Sequence, residues 1–369
     1  MRRVLTYLGI LIICLGCAAC GGAEHQRPVA QVNPGLSKLI GGKFAGYLWS
    51  GYLHSITGSW RVPEIAHNSQ DGHASTWIGA EAPGGAKAPF IQIGITEDHA
   101  PEGNSSSSNN HYAAFWSDVP HGFHPVELFT VSPGDEIAAS MRIGGGRWHL
   151  SISDLNSGAA RSFSVTEEAA YQFNLGEWLQ EDVTDALTER AFPYPAITAT
   201  RFRSLTVNGR QPSAADLTSQ WISTAGRYYG TTPYRNGAFR VSLVTPDSVA
   251  GRYVDIATRE DLMAGALADD LRPNAGIPEG LLQAQAQALA TSMNQTATSF
   301  AREQWPADVA PLIRTLEAET RYVAKGLNAM QNPSVTALTR LTSLPTPYGD
   351  EQQTALRIHQ LLGIPYPSS

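Results

Sequence analysis

The sequence predicts a mainly β protein with an α-helical end, built as an antiparallel β-sandwich or barrel followed by a helical bundle. Short segments in which apolar and polar residues alternate recur from about residue 37 to 247, separated by glycine, proline and asparagine. Many short strands at such spacing are typical of sandwiches and barrels. In residues 250–369 glycine becomes rarer, alanine and glutamine increase, and apolar residues recur at helical spacing.

The N-terminus is predicted to be a targeting segment followed by a linker. Arg2 and Arg3 precede an apolar run, Val4 to Leu15, that is too short to span a membrane as a stable helix. We therefore expect a signal peptide at residues 1–20. The polar, proline-bearing residues 21–36 are predicted to be a flexible linker.

All three cysteines of the chain lie in the signal region, at positions 14, 17 and 20. The run from Cys17 to Gly22 resembles a bacterial lipoprotein cleavage box, which implies lipidation of Cys20, with Cys17 as the alternative. We expect an exported cell-envelope lipoprotein that contacts the membrane only through this lipid, with ordinary secretion as the alternative. The exported part has no cysteine, so disulfides cannot stabilise it.

Strand periodicity is clearest in the middle of the β domain, which is predicted at residues 37–247. Apolar and polar residues alternate from Trp148 to Ser153 and again from Phe239 to Leu243. Turn signals such as Asn208-Gly209 separate the segments, and residues 103–110 are predicted to be a long polar loop.

The helical domain is predicted at residues 250–369. Its two long helices begin near Pro278 and Pro306, because proline fits the first turn of a helix. Shorter helices are predicted at roughly 256–271, 334–344 and 350–362. The apolar stripes of the long helices, which we interpret as bundle core, comprise Leu282, Leu289, Met293, Phe300, Leu312, Leu316, Val323, Leu327 and Met330. No partner of this domain follows from the pattern.

Charge and motif content exclude several classes of function. Lysine and arginine number 26 and aspartate and glutamate 33, a net charge of −7, which argues against a nucleic-acid surface. His121 and His124 have metal-like spacing, but zinc needs three or four ligands, and the chain outside the signal region has neither a cysteine nor a His-Glu-x-x-His motif to supply them. There is also no Gly-x-Ser-x-Gly motif of a serine hydrolase. We predict neither a metal nor a cofactor.

The stretch Glu177 to Asp182 presents carboxylates on one side of a predicted strand. Because side chains alternate between the two faces of a sheet, Glu177 and Glu181 share a face with Leu179. Two carboxylates with the same orientation suit the wall of a groove better than a core.

An earlier stretch, Phe90 to Ile95, carries a single polar side chain on the outward face of an apolar strand. Ile91, Ile93 and Ile95 alternate with Gln92, so the isoleucines are predicted to face the core and Gln92 the solvent. We hypothesise that Gln92 and Glu181 meet across one concave sheet face and hydrolyse peptide bonds.

Seven segments in order resemble the glutamic peptidases, the eqolisin family (peptidase families G1 and A4). The resemblance covers about residues 46–210, most of the β domain. The segments are Trp49-Ser50-Gly51-Tyr52, Gly58 to Pro63, Ser75-Thr76-Trp77-Ile78-Gly79, Ile91-Gln92-Ile93-Gly94, Tyr112 to Pro120, Gly134-Asp135-Glu136-Ile137 and Glu177 to Asp182. The resemblance implies a lectin-like antiparallel β-sandwich of two curved sheets with the active site on the concave side.

Carried over residue by residue, the resemblance implies that Gln92 and Glu181 are the catalytic pair. It also implies a substrate groove, and the residues that we assign to it are Trp77, Tyr112, Trp116, Ser117 and Glu177. Ser117 departs from the family pattern, which carries a glutamate at this place. The implied function is an endopeptidase that acts on polypeptide substrates.

Amide hydrolysis by such a pair assigns one role to each side chain. Ionised Glu181 would activate a water and return the proton to the leaving amine, while the Gln92 amide would donate to the oxyanion. We expect activity at acidic pH, because a carboxyl group with a pKa of about 4 to 5 can serve in both roles there. Without a glutamate at position 117, the optimum could lie lower still.

Two other readings remain open at this point. A catalytically silent lectin-like module could bind peptide or glycan in the same groove; Ser117 favours it, whereas the presence of both Gln92 and Glu181 opposes it. A structural surface lipoprotein would have no groove near these strands.

Overall fold

The computed structural model divides the chain into two compact units. It describes residues 42–66, 69, 72–83, 88–99, 110–120, 122–166, 172–183, 193–224, 227–270, 278–330 and 351–365, and the single positions 334, 337 and 347. The β unit comprises Gly42–Val244 together with Gly363–Pro365, and Thr245–Leu362 belongs to the helical unit. The predicted signal peptide, linker and lipidation sites, Cys20 and Cys17, lie outside the described residues.

The β unit is a sandwich of two antiparallel sheets, which confirms the predicted fold class. The first sheet has seven strands in the order β12-β1-β10-β3-β4-β5-β6, and the second has eight in the order β13-β14-β15-β11-β2-β7-β8-β9. The strands are β1 Phe44–Ser50, β2 Ser55–Arg61, β3 Gly72–Glu81, β4 Phe90–His99, β5 Asn110–Asp118, β6 Val126–Thr130, β7 Glu136–Gly144, β8 Arg147–Asp154, β9 Ala160–Val165, β10 Leu175–Asp182, β11 Thr200–Val207, β12 Leu217–Gln220, β13 Ile222–Thr224, β14 Arg227–Thr231 and β15 Phe239–Leu243.

The main apolar core lies between the two sheets and is made by the inward-facing residues of alternating strands. On β4 these are the three isoleucines of the Phe90 to Ile95 stretch, and on β10 the inward residue is Trp178. Trp60 of β2 and Trp148 of β8 approach from the other sheet, and both are fully buried. Because period-two alternation fixes which residues enter this core, it also fixes which ones lie on the opposite face of each sheet.

The helical unit contains four described helices. They are α1 Val249–Asp270, α2 Glu279–Arg302, α3 Ala310–Ala329 and α4 Glu351–Leu362. The first three share an apolar core to which α1 contributes Leu267, α2 contributes Leu289 and Met293, and α3 contributes Val323 and Leu327. These residues recur three or four positions apart, so each helix buries one stripe.

Two details of the predicted helices differ from the structure. The first long helix begins at Glu279 with Pro278 as its N-cap residue, as expected, but the second begins at Ala310 rather than near Pro306, and its proline is Pro311. On this helix Ile313 is buried and Leu312 only partly so. The predicted helix at 334–344 falls almost entirely outside the described residues. No described helix is long and apolar enough to cross a membrane.

Candidate active site

The residues of interest lie on the outer face of the seven-stranded sheet, the face turned away from the second sheet. On β10, Trp178 points into the core, so its neighbours Glu177 and Leu179 point outward, as does Glu181. On β4 the isoleucines point inward and Gln92 points outward. Both predicted catalytic side chains therefore share a face, and neither belongs to the apolar core.

Strand β3 lies between the two strands that carry Gln92 and Glu181, and its register defines their positions. Glu181 is opposite Ser75, whereas Gln92 is opposite Gly79, and Glu177 is opposite the other side of Gly79. Two strand spacings and a four-residue offset place the Cα atoms of Gln92 and Glu181 about 16 Å apart in a flat sheet. No direct hydrogen bond joins their side chains, and each has its own partners.

Two neighbouring donors on β3 hold the carboxylate of Glu181. Its Oε2 accepts hydrogen bonds from the indole Nε1 of Trp77 at 2.9 Å and from the hydroxyl of Ser75 at 3.1 Å. Both donors belong to the outer face, since Ala74 and Ile78 of the same strand point into the core. Because both donors bond to Oε2, they fix the orientation of the carboxylate. Its other oxygen remains available to accept a hydrogen bond from a water.

The electrostatic surroundings of Glu181 raise its pKa above the usual value. Burial is the largest cause, and the nearby charge of Asp182 adds to it. The hydrogen bonds from Trp77 and Ser75 and the charge of Lys43 act in the opposite direction. The sequence led us to expect a lower optimum because a like charge is missing at position 117, but burial moves the pKa upward instead.

The indole of Trp77 connects the Glu181 end of the site with the Gln92 end. Its N–H contacts Glu181, while its six-membered ring covers Gly79, where a Cβ atom would lie 2.6 Å from Cζ3. Gly94 on β4 allows an equally close approach, since its Cβ would lie 2.4 Å from that of Trp77. Gly79 therefore makes room for the ring of Trp77, and Gly94 makes room for the backbone of β3 beside it.

A small apolar cluster surrounds this ring on the outer face. Phe115 and Leu179 are buried there with Trp77, and the rings of Phe90 and Phe44 meet the indole edge-on at centroid distances of 5.6 and 6.1 Å. The exposure of Trp77, Leu179 and Phe115 is 1%, 2% and 3%. These almost inaccessible side chains give the outer face an apolar patch beside the two polar groups.

Gln92 is buried and oriented by the strand on its other side. Its Nε2 donates to the hydroxyl of Ser117 at 2.8 Å, and the two residues are register partners on β4 and β5. Gln92 is 7% exposed and Ser117 is fully buried. The Oε1 atom of Gln92 has no hydrogen-bond partner among the described residues. A buried amide oxygen without a partner is costly, so this atom is suited to accept from a bound water or substrate.

Glu177, which the sequence also assigns to the groove, lies on the same face as Glu181 and is buried. It is the register partner of Gly79, and its Oε2 would lie 3.2 Å from a Cβ atom placed there. Trp77, Ser117 and Glu177 all lie on the same outer face as Gln92, and their assignment to a substrate groove stays a prediction.

Tyr112 and Trp116 were predicted to line the groove, and this prediction is wrong. Tyr112 belongs to the core between the sheets, and its hydroxyl accepts a hydrogen bond from the backbone N–H of Ile65 at 3.0 Å. Trp116 packs against the same core and contacts Phe163 of the other sheet at a centroid distance of 5.4 Å. The reason is strand alternation, which places both on the face opposite Ser117.

Sequence reasoning did not assign Ser75, Phe115 and Leu179 to the site. Ser75 precedes Trp77 by two residues, Phe115 precedes Ser117 by two, and Leu179 lies between the two glutamates. Period-two alternation from each recognised residue would have found all three.

Among the described residues no group of three or more His, Cys, Asp or Glu side chains could hold a metal ion.

The sequence also matches a known family over the β unit. The model of the Peptidase A4 family matches residues 42–236, more than half of the chain. The chain belongs to the Peptidase A4 family. It is a glutamic-type peptidase, a hydrolase, and the resemblance that the ordered motifs indicated is confirmed.

Solved structures of this type are similar to the β unit only at low identity. Scytalido-glutamic peptidase with a transition state analog inhibitor has 17% identity and a TM-score of 0.46, and the match covers 55% of this chain and 98% of that one. SCP-B, a member of the Eqolisin family of peptidases in complex with the tripeptide Ala-Ile-His, has 16% identity, a TM-score of 0.45 and the same coverage. No curated protein sequence matches the chain significantly.

Proposed function

We propose that this peptidase is an endopeptidase that cleaves polypeptides with Gln92, Glu181 and an activated water. The observation that carries the proposal is the shared outer face. Gln92 presents a buried amide oxygen without a partner there, and Glu181 presents a carboxylate held by two donors. Trp77 lies on the strand between them and donates to the Glu181 carboxylate.

In the proposed reaction Glu181 acts first as a base and then as an acid. Its carboxylate takes a proton from a water that attacks the scissile carbonyl carbon, and the resulting oxyanion accepts a hydrogen bond from the free N–H of the Gln92 amide. The protonated Glu181 then donates to the leaving nitrogen as the C–N bond breaks. One water is consumed, and a carboxylic acid and an amine are formed.

The position of Ser117 bears on the alternative of a silent binding module. Serine at this place favoured that alternative, because the family pattern has a glutamate there. In the structure the serine hydroxyl accepts from Gln92 Nε2, so the amide keeps a fixed orientation. The second N–H of this oriented amide remains available to donate to an oxyanion, as the proposed reaction requires.

The proposal is tested by cleavage of a denatured protein by the purified wild type and by Glu181→Gln and Gln92→Ala at about pH 4 to 6. We expect Glu181→Gln to lose activity entirely, because the amide cannot take up the proton of the water. Gln92→Ala removes one oxyanion donor and should lower kcat by about 100-fold. Equal cleavage by all three proteins would locate the activity elsewhere.

We further propose that the enzyme is exported and anchored to the cell envelope by a lipid on Cys20. The cysteine followed by two glycines and a polar linker supports this. Mass spectrometry of the mature N-terminus should find a lipid-modified cysteine at position 20, and Cys20→Ala should release the protein from the membrane fraction. An unmodified N-terminus that begins after another residue would contradict the anchor.

A further inference from the structure

Glu177 is a buried carboxyl group of the active face for which the reaction proposed above has no use. Its side chain is 4% exposed, and β10 directs it to the same face as Glu181. The register places Glu177 and Gln92 on the two sides of Gly79. Glu177 therefore stands at the Gln92 end of the site, whereas Glu181 stands at the other end.

Because Gly79 has no side chain, the side chains of neighbouring residues occupy the space above β3 at this position. A Cβ atom at this position would lie 3.2 Å from Oε2 of Glu177 and 2.6 Å from the ring of Trp77. The Glu177 carboxyl thus leans over the central strand toward the strand that carries Gln92. A charge at Oε2 would be close to the place where Gln92 meets a substrate carbonyl.

The charged groups that act on Glu177 are both acids. Glu81 approaches from β3 and Glu181 from its own strand, whereas the facing residues of β1 and β4, Leu48 and Gln92, are neutral. Burial first, and then the charges of Glu81 and Glu181, raise the pKa of Glu177 to about 8. No hydrogen-bond donor is among these causes, in contrast to the two donors that hold Glu181.

Building on the function proposed above, we propose that Glu177 is a further catalytic residue that must stay neutral for the oxyanion to form beside Gln92. A neutral carboxylic acid can donate a hydrogen bond to the substrate, whereas a carboxylate across Gly79 would repel the negative charge of the tetrahedral intermediate. Ionisation of Glu177 therefore stops hydrolysis at alkaline pH while the base, Glu181, remains intact.

The consequence is a bell-shaped pH profile with one limb for each glutamate. Ionisation of Glu181 produces the rise on the acid side. In contrast to the acidic optimum that the sequence led us to expect, a single base would leave kcat/KM constant at pH values above its pKa. The fall on the alkaline side requires a second group that must hold its proton. With Glu177 in this role, kcat/KM falls about tenfold per pH unit once that group ionises.

The test is the pH dependence of kcat/KM for the wild type, Glu177→Gln and Glu81→Gln with a peptide substrate. Glutamine keeps a donor at position 177 but cannot ionise, so the alkaline limb should disappear or move to higher pH. Glu81→Gln removes a charge that raises the pKa of Glu177 and should move the same limb to lower pH. Because the two variants should move the alkaline limb in opposite directions, the result distinguishes a specific role of Glu177 from a general loss of structure.

An infrared titration supplies a measurement that does not depend on activity. The C=O band of a neutral carboxylic acid should persist into neutral pH in the wild type and in Glu181→Gln, and it should be reduced in Glu177→Gln. An alkaline limb that is identical in all three enzymes, or a wild type with no alkaline limb up to pH 9, would overturn the proposal. Full activity of Glu181→Gln would instead refute the proposed function itself.

Discussion

At the scale of single residues, the amide of Gln92 depends on the hydroxyl of Ser117 for its orientation. We predict that Ser117→Ala lowers kcat by about tenfold, equivalent to about 1.4 kcal/mol, with little change in KM, because the buried Nε2 loses its acceptor at 2.8 Å and the amide can rotate. Steady-state kinetics with a peptide substrate at the optimum pH measures both constants.

Two further variants distinguish orientation from a general effect of losing a buried serine. Ser117→Thr keeps the hydroxyl and should recover most of the activity. Ser219→Ala removes another buried serine of the same sheet, on β12, and should leave kcat at the wild-type value. If Ser117→Thr is as slow as Ser117→Ala, the hydrogen bond is not what matters.

Strand periodicity determined which site residues could be predicted from the sequence. The glutamates of β10 and Gln92 of β4 were assigned to the outer face by counting in twos, and the structure has them there. Tyr112 and Trp116 were assigned instead through the resemblance of the segment Tyr112 to Pro120, and both proved to face the core. The same count would have excluded them, because Ser117 cannot share a face with Trp116.

At the scale of elements, the site depends on the close fit of β3 against the ring of Trp77. We predict that Gly79→Ala destabilises the β unit by about 1 to 3 kcal/mol, because the added Cβ would lie 2.6 Å from Cζ3 of Trp77 and the ring has to move. Urea unfolding followed by tryptophan fluorescence measures the change, since seven of the eight tryptophans lie between positions 49 and 221.

The matched control is a glycine at which an added Cβ atom would contact no other residue. Gly280 on α2 has open space around it, so Gly280→Ala should leave stability unchanged or raise it slightly. Unchanged stability and activity of Gly79→Ala would show that the ring is not confined as the structure has it.

The order of the strands was beyond sequence reasoning, although their existence was not. Alternation predicts a strand at Phe90 to Ile95 and another at Glu177 to Asp182, but it contains no information about which strand lies between them. That β3 separates them follows from the pairing of the whole sheet. For this reason the four-residue offset between Gln92 and Glu181 and the alignment of Glu177 with Gln92 were both unforeseen.

At the scale of the whole molecule, the core between the sheets contains a carboxyl group that favours acidic conditions. Glu97 of β4 is fully buried, and neither of its oxygens has a hydrogen-bond partner among the described residues. Burial raises its pKa well above the usual value, and the nearby charge of Asp98 adds to it. Tyr112 and Tyr194 face the same group, and neither offers a positive charge.

The resulting pH dependence has a definite sign. Because the folded chain binds this proton more tightly than the unfolded chain, the stabilisation is complete below the pKa of an unfolded glutamate, about 4.3, and is lost as pH rises through the folded pKa. We predict a higher unfolding temperature at pH 4 than at pH 8, and a weaker pH dependence for Glu97→Gln. Glu64→Gln, at an exposed position, should behave as the wild type.

The end of the chain also contributes to the β unit, which the helical pattern of residues 250–369 did not predict. The carbonyl oxygen of Gly363 accepts hydrogen bonds from Trp221 Nε1 and Thr231 Oγ1, both at 2.7 Å, and Ile364 is 2% exposed. Gly363 has φ of +70°, and a Cβ atom there would lie 2.5 Å from the Thr231 carbonyl oxygen. Only glycine suits this close approach.

We predict that a chain ending at Leu362 loses about 2 to 5 kcal/mol of stability in the β unit. Two buried donors lose their acceptor, and the pocket of Ile364 is emptied. A chain ending at Pro365 keeps these contacts and should unfold like the full-length protein. Tryptophan fluorescence during thermal unfolding compares the two, and equal unfolding temperatures would mean that the segment Gly363 to Pro365 does not hold the sandwich together.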